Sequence, residues 1–514
     1  MTETAEIEVL VTAHDAYPRL ERLFLSARSS IRMGFRIFDM RTKLRSDEGR
    51  QIGETWVDLF VHTLNRGVSI DLTLSDFDPV MAPDMHAQAW RLTAISYAIN
   101  ELTTPDASKM SVRCLLHPCQ GGLFPRLFFA PKTRSQVSAT ARELTEKPYR
   151  LRFLPGLRDM LRQHADGRVT MVPNALPRLY PVSLHHKMAV FDDDVTYIGG
   201  LDLNERRYDG PDHDRPAQRT WHDVQLVVTD KDLAENATEF LETLPDVVTG
   251  DRPATRSETA FRQTLSRKRR SNLATLSPHT VAQSLLEEHV RQIDRAETLI
   301  YIETQFFRDR RIAAALVRAA KRAPNLRLIM LLPAAPEEAA FHSRPGLDAR
   351  FGEFLQLRCF RQVRRAFGNR FIAVSPVQPR SPDDRDKDTE RATLHGAPIV
   401  YVHAKVLVVD GKSAIVSSAN LNGRSMKWDA ETGVLLDRPD RVMALQEKLF
   451  DTWLTEDAPA ACHDVATAFD GWRDLAFRNL DLPPEDRTGF IVPYAPRAGA
   501  KIATPVPGAP EEIV

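Results

Sequence analysis

Histidine and lysine two residues apart occur twice in register in this chain of 514 residues. The first stretch reads LHHKMAVFDDDVTYIGGLDLNER around His185, and the second reads VHAKVLVVDGKSAIVSSANLNGR around His403. His185, Lys187 and Asp192 match His403, Lys405 and Asp410 at an offset of 218 residues, and Asn204 and Arg206 match Asn422 and Arg424 at the same offset. One such match is a weak motif, whereas two in register argue for a duplicated fold carrying duplicated chemistry. Only 14 of the 69 basic residues are lysines, so a lysine repeated at a fixed place is informative. Two ammoniums held near each other repel unless an anion sits between them, and a phosphodiester supplies one. A neutral imidazole can attack phosphorus while a second, protonated imidazole hands its proton to the leaving oxygen. The roles reverse when water attacks the phosphohistidine.

Each copy has the pattern of a β-hairpin that positions these groups. KMAVFD and KVLVVD alternate as strands, Asp193-Asp194 and Asp410-Gly411 read as turns, and VTYIGG and AIVSS return. Residues i and i+2 of a strand share a face, so His185 with Lys187 and His403 with Lys405 point into one pocket. Asp192 and Asp410 complete each motif but lie at an odd offset near the strand ends, which makes them hairpin anchors. An imidazole that presents its outer nitrogen needs a carboxylate on its inner one. Asp223 in WHDVQLVV and Glu431 in DAETGVLL open strands at corresponding places, once ten extra residues near Asp209 to Gln218 are allowed. By sequence order Asp223 is assigned to His185 and Glu431 to His403.

Strand and helix patterns alternate along most of the chain, as in AETLIYIETQFF followed by RIAAALVRAAKRAPNLRLIMLLP, and predict an α/β sandwich. The expected organisation is an N-terminal half over 1–245, a linker over 246–285, a C-terminal half over 286–480 and a Pro-rich tail over 481–514. The basic run Arg267 to Arg270 falls in the linker and reads as a solvated face or linker helix, and the polar stretch from Gln378 reads as an exposed loop at a rim.

Composition narrows the classes further. The length exceeds the roughly 250–300 residues at which single cores stop growing. With 69 Lys+Arg against 69 Asp+Glu there is no bulk attraction to nucleic acid, which is not an expected partner. Cys114, Cys119, Cys359 and Cys462 form no CxxC pair, and no His/Asp/Cys cluster has metal-ligand spacing, so neither metal nor cofactor is expected. The N-terminus lacks the pattern of a signal peptide, and no run reaches the roughly 18–20 apolar residues of a membrane span.

These residues resemble the phospholipase D superfamily, whose mark is two HxKxxxxD elements per active site followed by GG or GS and an Asn. The elements stand here as HHKMAVFDDDVTYIGGLD and HAKVLVVDGKSAIVSSAN, with IYIETQFF, GGLDLNERRYD and NGRSMKWDAE resembling further family segments. The likeness covers most of residues 20–480. It implies two similar α/β/α halves in one chain, an internal pseudo-dimer in a monomer, with one active site at their interface. It also implies phosphatidyl transfer through a covalent phosphohistidine, with His185 the nucleophile and His403 the general acid. Lys187, Lys405, Asn420 and Ser418 would hold the phosphate, with Asp202 opposite Asn420 making the halves unequal. Ser417 stands where Gly is usual in the second element, a change expected to affect only the turn.

The resemblance favours a phospholipase D that cleaves the distal phosphodiester of a phosphatidylcholine-like lipid at a membrane surface, with water or an alcohol as acceptor. A cardiolipin synthase-like phosphatidyltransferase and a phosphodiesterase or nuclease are the alternatives. Trp221, Trp428 and Tyr401 lie beside the motifs as candidate cation–π partners for a quaternary ammonium. The expected location is peripheral to membranes, either cytoplasmic or reached by signal-less export as in bacterial relatives.

Overall fold

The computed structural model describes residues 5–341, 346–386 and 391–514. The first four residues and part of the polar stretch, 387–390, lie outside the described residues. In the first half, seven strands form one sheet: β1 (Glu6–Val11), β2 (Ser30–Phe35), β3 (Ser69–Ser75), β4 (Met110–Leu115), β5 (Lys187–Phe191), β6 (Val195–Gly199) and β7 (Val224–Thr229). Their order is β1-β7-β6-β5-β2-β3-β4. In the second half, nine strands form the other sheet: β8 (Phe261–Arg267), β9 (His279–Gln283), β10 (Leu299–Thr304), β11 (Arg327–Leu331), β12 (Phe371–Pro376), β13 (Lys405–Val409), β14 (Ser413–Ser417), β15 (Glu431–Leu436) and β16 (Ile491–Pro493). That order is β9-β8-β15-β14-β13-β10-β11-β12-β16. Stripped of its two edge strands β9 and β16, the second sheet repeats the first strand for strand. The repeat seen in the motifs therefore extends to the whole sheet.

Helices cover the sheets because strands buried on both faces need apolar cover. The helix Arg310–Arg322 shows the local logic: Asp309 caps it by accepting from the N–H groups of Arg311 and Ile312, and Ile312, Ala313, Leu316, Ala319 and Ala320 bury one face. The first half's core extends to Ala335, Ala340, Ile399 and Tyr401 of the second, and a further cluster joins the two sheets. It combines Val190, Leu226 and Val228 of the first sheet with Val406, Val408 and Val434 of the second, together with the helices Lys231–Thr249 and Pro439–Leu454. Two α/β/α halves thus share a continuous interior.

The expected boundaries need correction. The 246–285 stretch is not a linker: β8 pairs with β15, and β9 pairs with β8, so the stretch supplies an edge of the second sheet. Arg267 ends β8 rather than lying on a helix. The tail is likewise integral, since β16 pairs with β12, and Glu511 and Glu512 form ion pairs with Arg310, Arg358 and Lys427. Single-segment periodicity missed these pieces because they are strands at one margin of the sheet, stabilised by the neighbours they pair with. The described part of the polar stretch from Gln378 is pinned rather than free: Asp386 pairs with Arg380 and accepts from the Ala217 N–H, within the insertion of the first half.

Candidate active site

The two histidines sit just before β5 and β13, on chain segments that pair across the halves. The N–H groups of His185 and His186 donate to the Ala430 carbonyl at 2.8 and 2.9 Å, and the His403 N–H donates to the His222 carbonyl at 2.8 Å. Ala430 and His222 immediately precede the acids Glu431 and Asp223. The backbone thus delivers each acid to the other half's histidine. His185 Nδ1 lies 3.0 Å from Glu431 Oε2, and His403 Nδ1 lies 2.6 Å from Asp223 Oδ2. The assignment by sequence order is therefore reversed: Asp223 serves His403 and Glu431 serves His185. An acid close in sequence to its histidine belongs to the same sheet, but the facing sheet brings the other acid nearer.

Lys187 and Lys405 open β5 and β13, and both are buried. Each Nζ donates to the carbonyl of the histidine two residues before it, and Lys405 Nζ also lies 2.7 Å from His403 Nδ1. Burial lowers Lys187 to about 8, against the pull of Asp202 and Glu431. Burial likewise lowers Lys405 to about 7, with Asp223 opposing and Lys187 reinforcing. Both histidines are held well below their ordinary range by burial first and by the neighbouring lysines next, which favours neutral rings. Burial pushes Glu431 up to about 8 and also raises Asp223. Each imidazole consequently has its inner nitrogen committed to a carboxyl and its outer nitrogen free for chemistry.

The halves solve the same close approach differently. A Cβ on Gly200 would fall 2.1 Å from Asp223 Oδ1, so the first half needs glycine there. Its counterpart at the 218-residue offset is Ser418, whose hydroxyl donates to Glu431 Oε2 at 2.5 Å. The Ser418 hydroxyl thus takes the place beside the acid that the first half leaves to glycine. Ser417 changes more than a turn. It faces Gly433 across the β14–β15 ladder, where a Cβ would meet the Ser417 Cβ at 2.5 Å; in the first half the glycine is Gly199, facing Gln225. The missing glycine has moved to the partner strand.

Asn420 is buried near this loop, and its Oδ1 lacks a partner among the described residues. Its counterpart Asp202 is fully committed, accepting from the Ile37 N–H at 2.9 Å and from Arg207. Arg207, not the register-matched Arg206, is the buried arginine; Arg206 is paired with Glu337. Asp192 and Asp410 lie at the far ends of β5 and β13. Asp192 accepts from the backbone of Arg28, Ser29 and Ser30, and Asp410 from that of Glu297, Thr298 and Leu299. They anchor the hairpins and stand outside the reacting groups. The left-handed turn pair in the first hairpin is Asp192-Asp193, at φ 51° and 55°, in register with Asp410-Gly411 rather than shifted by one.

Arg36 and Arg207 escaped the motif reading, and Arg424 entered it only as a register match. Arg36 and Arg424 line a cavity of about 360 Å³ together with Ser183, two residues from His185, and both depress the His185 ring. Arg207 lies 4.6 Å from the ring centroid of Trp221, which packs against His403. Trp221, Trp428 and Tyr401 are all buried, and Trp221 packs on both Tyr401 and His403. Strand position was the available signal for Arg36, which directly follows β2.

Two sheets thus meet around two crossed imidazole–carboxyl pairs and two buried lysines. Residues 289–453 match a family model described as cardiolipin synthase, PLD-like domain. Phospholipase D1 of Schizosaccharomyces pombe is 25% identical over 338 residues, covering 49% of this chain and 24% of that protein. Phospholipase D zeta 1 of Arabidopsis thaliana is 27% identical over 187 residues, covering 32% of this chain and 17% of that protein. These matches span about a quarter or less of the relatives' own length. The phosphatidylserine synthase structure from Haemophilus influenzae Rd KW20 has the same fold, with a TM-score of 0.50 at 12% identity over 87% of this chain and 85% of that one. The domain match over residues 289–453 and the phospholipase D relatives support the phospholipase D superfamily for this chain.

Proposed function

We propose that the chain is a phospholipase D acting on glycerophospholipids. The observation that carries this reading is the crossed pair of imidazole–carboxyl contacts with a lysine beside each ring. In the proposed cycle, a phosphodiester anion lies between Lys187 and Lys405, with Asn420 adjoining. Its negative charge offsets the depression of the His403 ring and favours the imidazolium. His185 Nε2 forms a bond to phosphorus as the bond to the headgroup oxygen breaks, and His403 Nε2–H gives its proton to that oxygen. Water then loses a proton to His403 and attacks phosphorus, the P–N bond breaks, and phosphatidic acid leaves. His185 is taken as the nucleophile, a reading supported by Arg36 and Arg424, which line the cavity with Ser183 and both act on the His185 ring. Phe77, Leu179 and Val182 line the same cavity and suit an acyl chain better than a nucleic acid.

The family model described as cardiolipin synthase favours a second reading, in which an alcohol replaces water in the second step. Headgroup release from phosphatidylcholine, phosphatidylethanolamine and phosphatidylglycerol, with and without a primary alcohol, separates the two. His185→Ala and His403→Ala should each abolish release, with phosphohistidine trapped on the His185 peptide. Substantial activity in either variant would overturn the mechanism.

A further inference from the structure

The start of the helix Leu123–Glu146 carries an apolar stripe that the described residues leave exposed. Leu123 with Leu127, and Phe124 with Phe128, are spaced four apart and so share a face. Phe124 is 63% exposed and Phe128 is 78% exposed. The segment after the basic run packs beside them: the Gly122 N–H donates to the Thr275 carbonyl at 2.8 Å and the Phe124 N–H to the Leu273 carbonyl at 2.9 Å. Leu273 is itself 64% exposed. Five large apolar side chains from two segments thus form one outward wedge, a feature that marks an interaction surface.

Charge and continuity identify what the wedge meets. Lys132 and Arg134 follow on the same helix, and Lys268, Arg269 and Arg270 precede Leu273; all five are exposed, and none forms an ion pair among the described residues. The molecule has no net charge, so this basic collar is local. Phe129, Lys132, Thr133 and Leu276, from the same two segments, line the cavity that reaches Arg36 and Arg424 beside His185. An apolar wedge with a cationic collar, at the mouth of an apolar cavity leading to a phosphate-handling site, matches an anionic lipid surface.

We propose that Leu123, Phe124, Leu127, Phe128 and Leu273 enter the outer layer of an anionic bilayer, with the basic collar on the headgroups. This inference rests on reading the site as one for a phospholipid. Docking in this pose places the cavity mouth against the lipid layer, so that a lipid passes to His185 without fully crossing water.

Co-sedimentation of the full chain carrying His185→Ala, which prevents consumption of the lipid, tests docking on phosphatidylcholine vesicles with and without phosphatidylglycerol. Phe124→Ser with Phe128→Ser should weaken binding roughly tenfold or more on both vesicles. Lys268→Gln with Arg270→Gln should weaken it about fivefold per charge removed, on the anionic vesicles alone and less so at high salt. In the chain with His185 intact, all four substitutions should leave hydrolysis of monomeric short-chain phosphatidylcholine unchanged. Unaltered vesicle binding by both double variants would overturn the proposal. So would a dimer in sedimentation that Phe124→Ser with Phe128→Ser dissolves, since a second copy would then be the occupant. If the unsubstituted chain hydrolyses neither vesicles nor monomeric lipid, yet binding follows the expected pattern, docking stands and the phospholipid reading of the site fails.

Discussion

His185 Nδ1 meets Glu431 Oε2 at 3.0 Å, although the two residues belong to different halves of the chain. His403 and Asp223 form the reciprocal contact at 2.6 Å. Each half therefore supplies the reacting ring of one pair and the orienting acid of the other. Neither half contains a complete pair, so separating them removes both rather than one.

Crossed pairing makes a kinetic prediction that pairing within a half would reverse. A headgroup such as p-nitrophenol leaves without needing a proton, so the first half-reaction, which kcat/KM reports, bypasses His403, although the attack of water still uses it. Asp223→Asn should lower kcat/KM by roughly 10²–10⁴ with a choline headgroup and far less with p-nitrophenol. Glu431→Gln acts through the nucleophile and should lower both alike. Steady-state rates with the two substrates check this, and the opposite split would indicate pairing within each half.

Anion affinity should fall as pH rises. Lys405 loses its charge near 7 and Lys187 near 8, while Glu431 gains a negative charge near 8. All three changes remove positive charge from the site in the same direction. Sulfate keeps a constant charge over this range, so its affinity isolates the protein's titration. A decrease of roughly tenfold or more between about pH 6 and 9 is expected for the loss of a charged hydrogen-bond donor. Competitive inhibition or thermal shift with sulfate measures it, and a flat profile contradicts it.

Ser418 and Asn420 should separate by kinetic parameter. Ser418→Ala removes the hydroxyl donor to Glu431 and should reduce kcat about tenfold, the scale of one hydrogen bond, while sulfate affinity holds. Asn420→Ala should weaken sulfate binding instead. Loss of sulfate affinity in Ser418→Ala would place that residue on the phosphate.

The hairpin anchors should matter for stability rather than turnover. Asp192 and Asp410 each accept hydrogen bonds from the backbone of three consecutive residues. Asp192→Ala or Asp410→Ala should cost about 1–3 kcal/mol in denaturant unfolding, with activity per folded molecule retained. Lost turnover in a fully folded variant would place the aspartate in the chemistry.

The repeat at 218 residues made much of the architecture legible. Local patterning identified the two hairpins, and their exact register implied two similar halves, because the same short-range strand and turn preferences act wherever the same residues recur. Residue type alone identified His185, Lys187, His403 and Lys405 as the reactive candidates, since imidazole and ammonium carry their chemistry with them. The strands Phe261–Arg267, His279–Gln283 and Ile491–Pro493 were hidden, because each is held by the neighbours it pairs with rather than by its own pattern. The acid assigned to each histidine, the glycine moved from position 417 to 433, and the burial of Trp221 were decided only by tertiary structure. Each depends on which backbone lies across the interface, and that distance is set by how two sheets dock, not by separation along the chain.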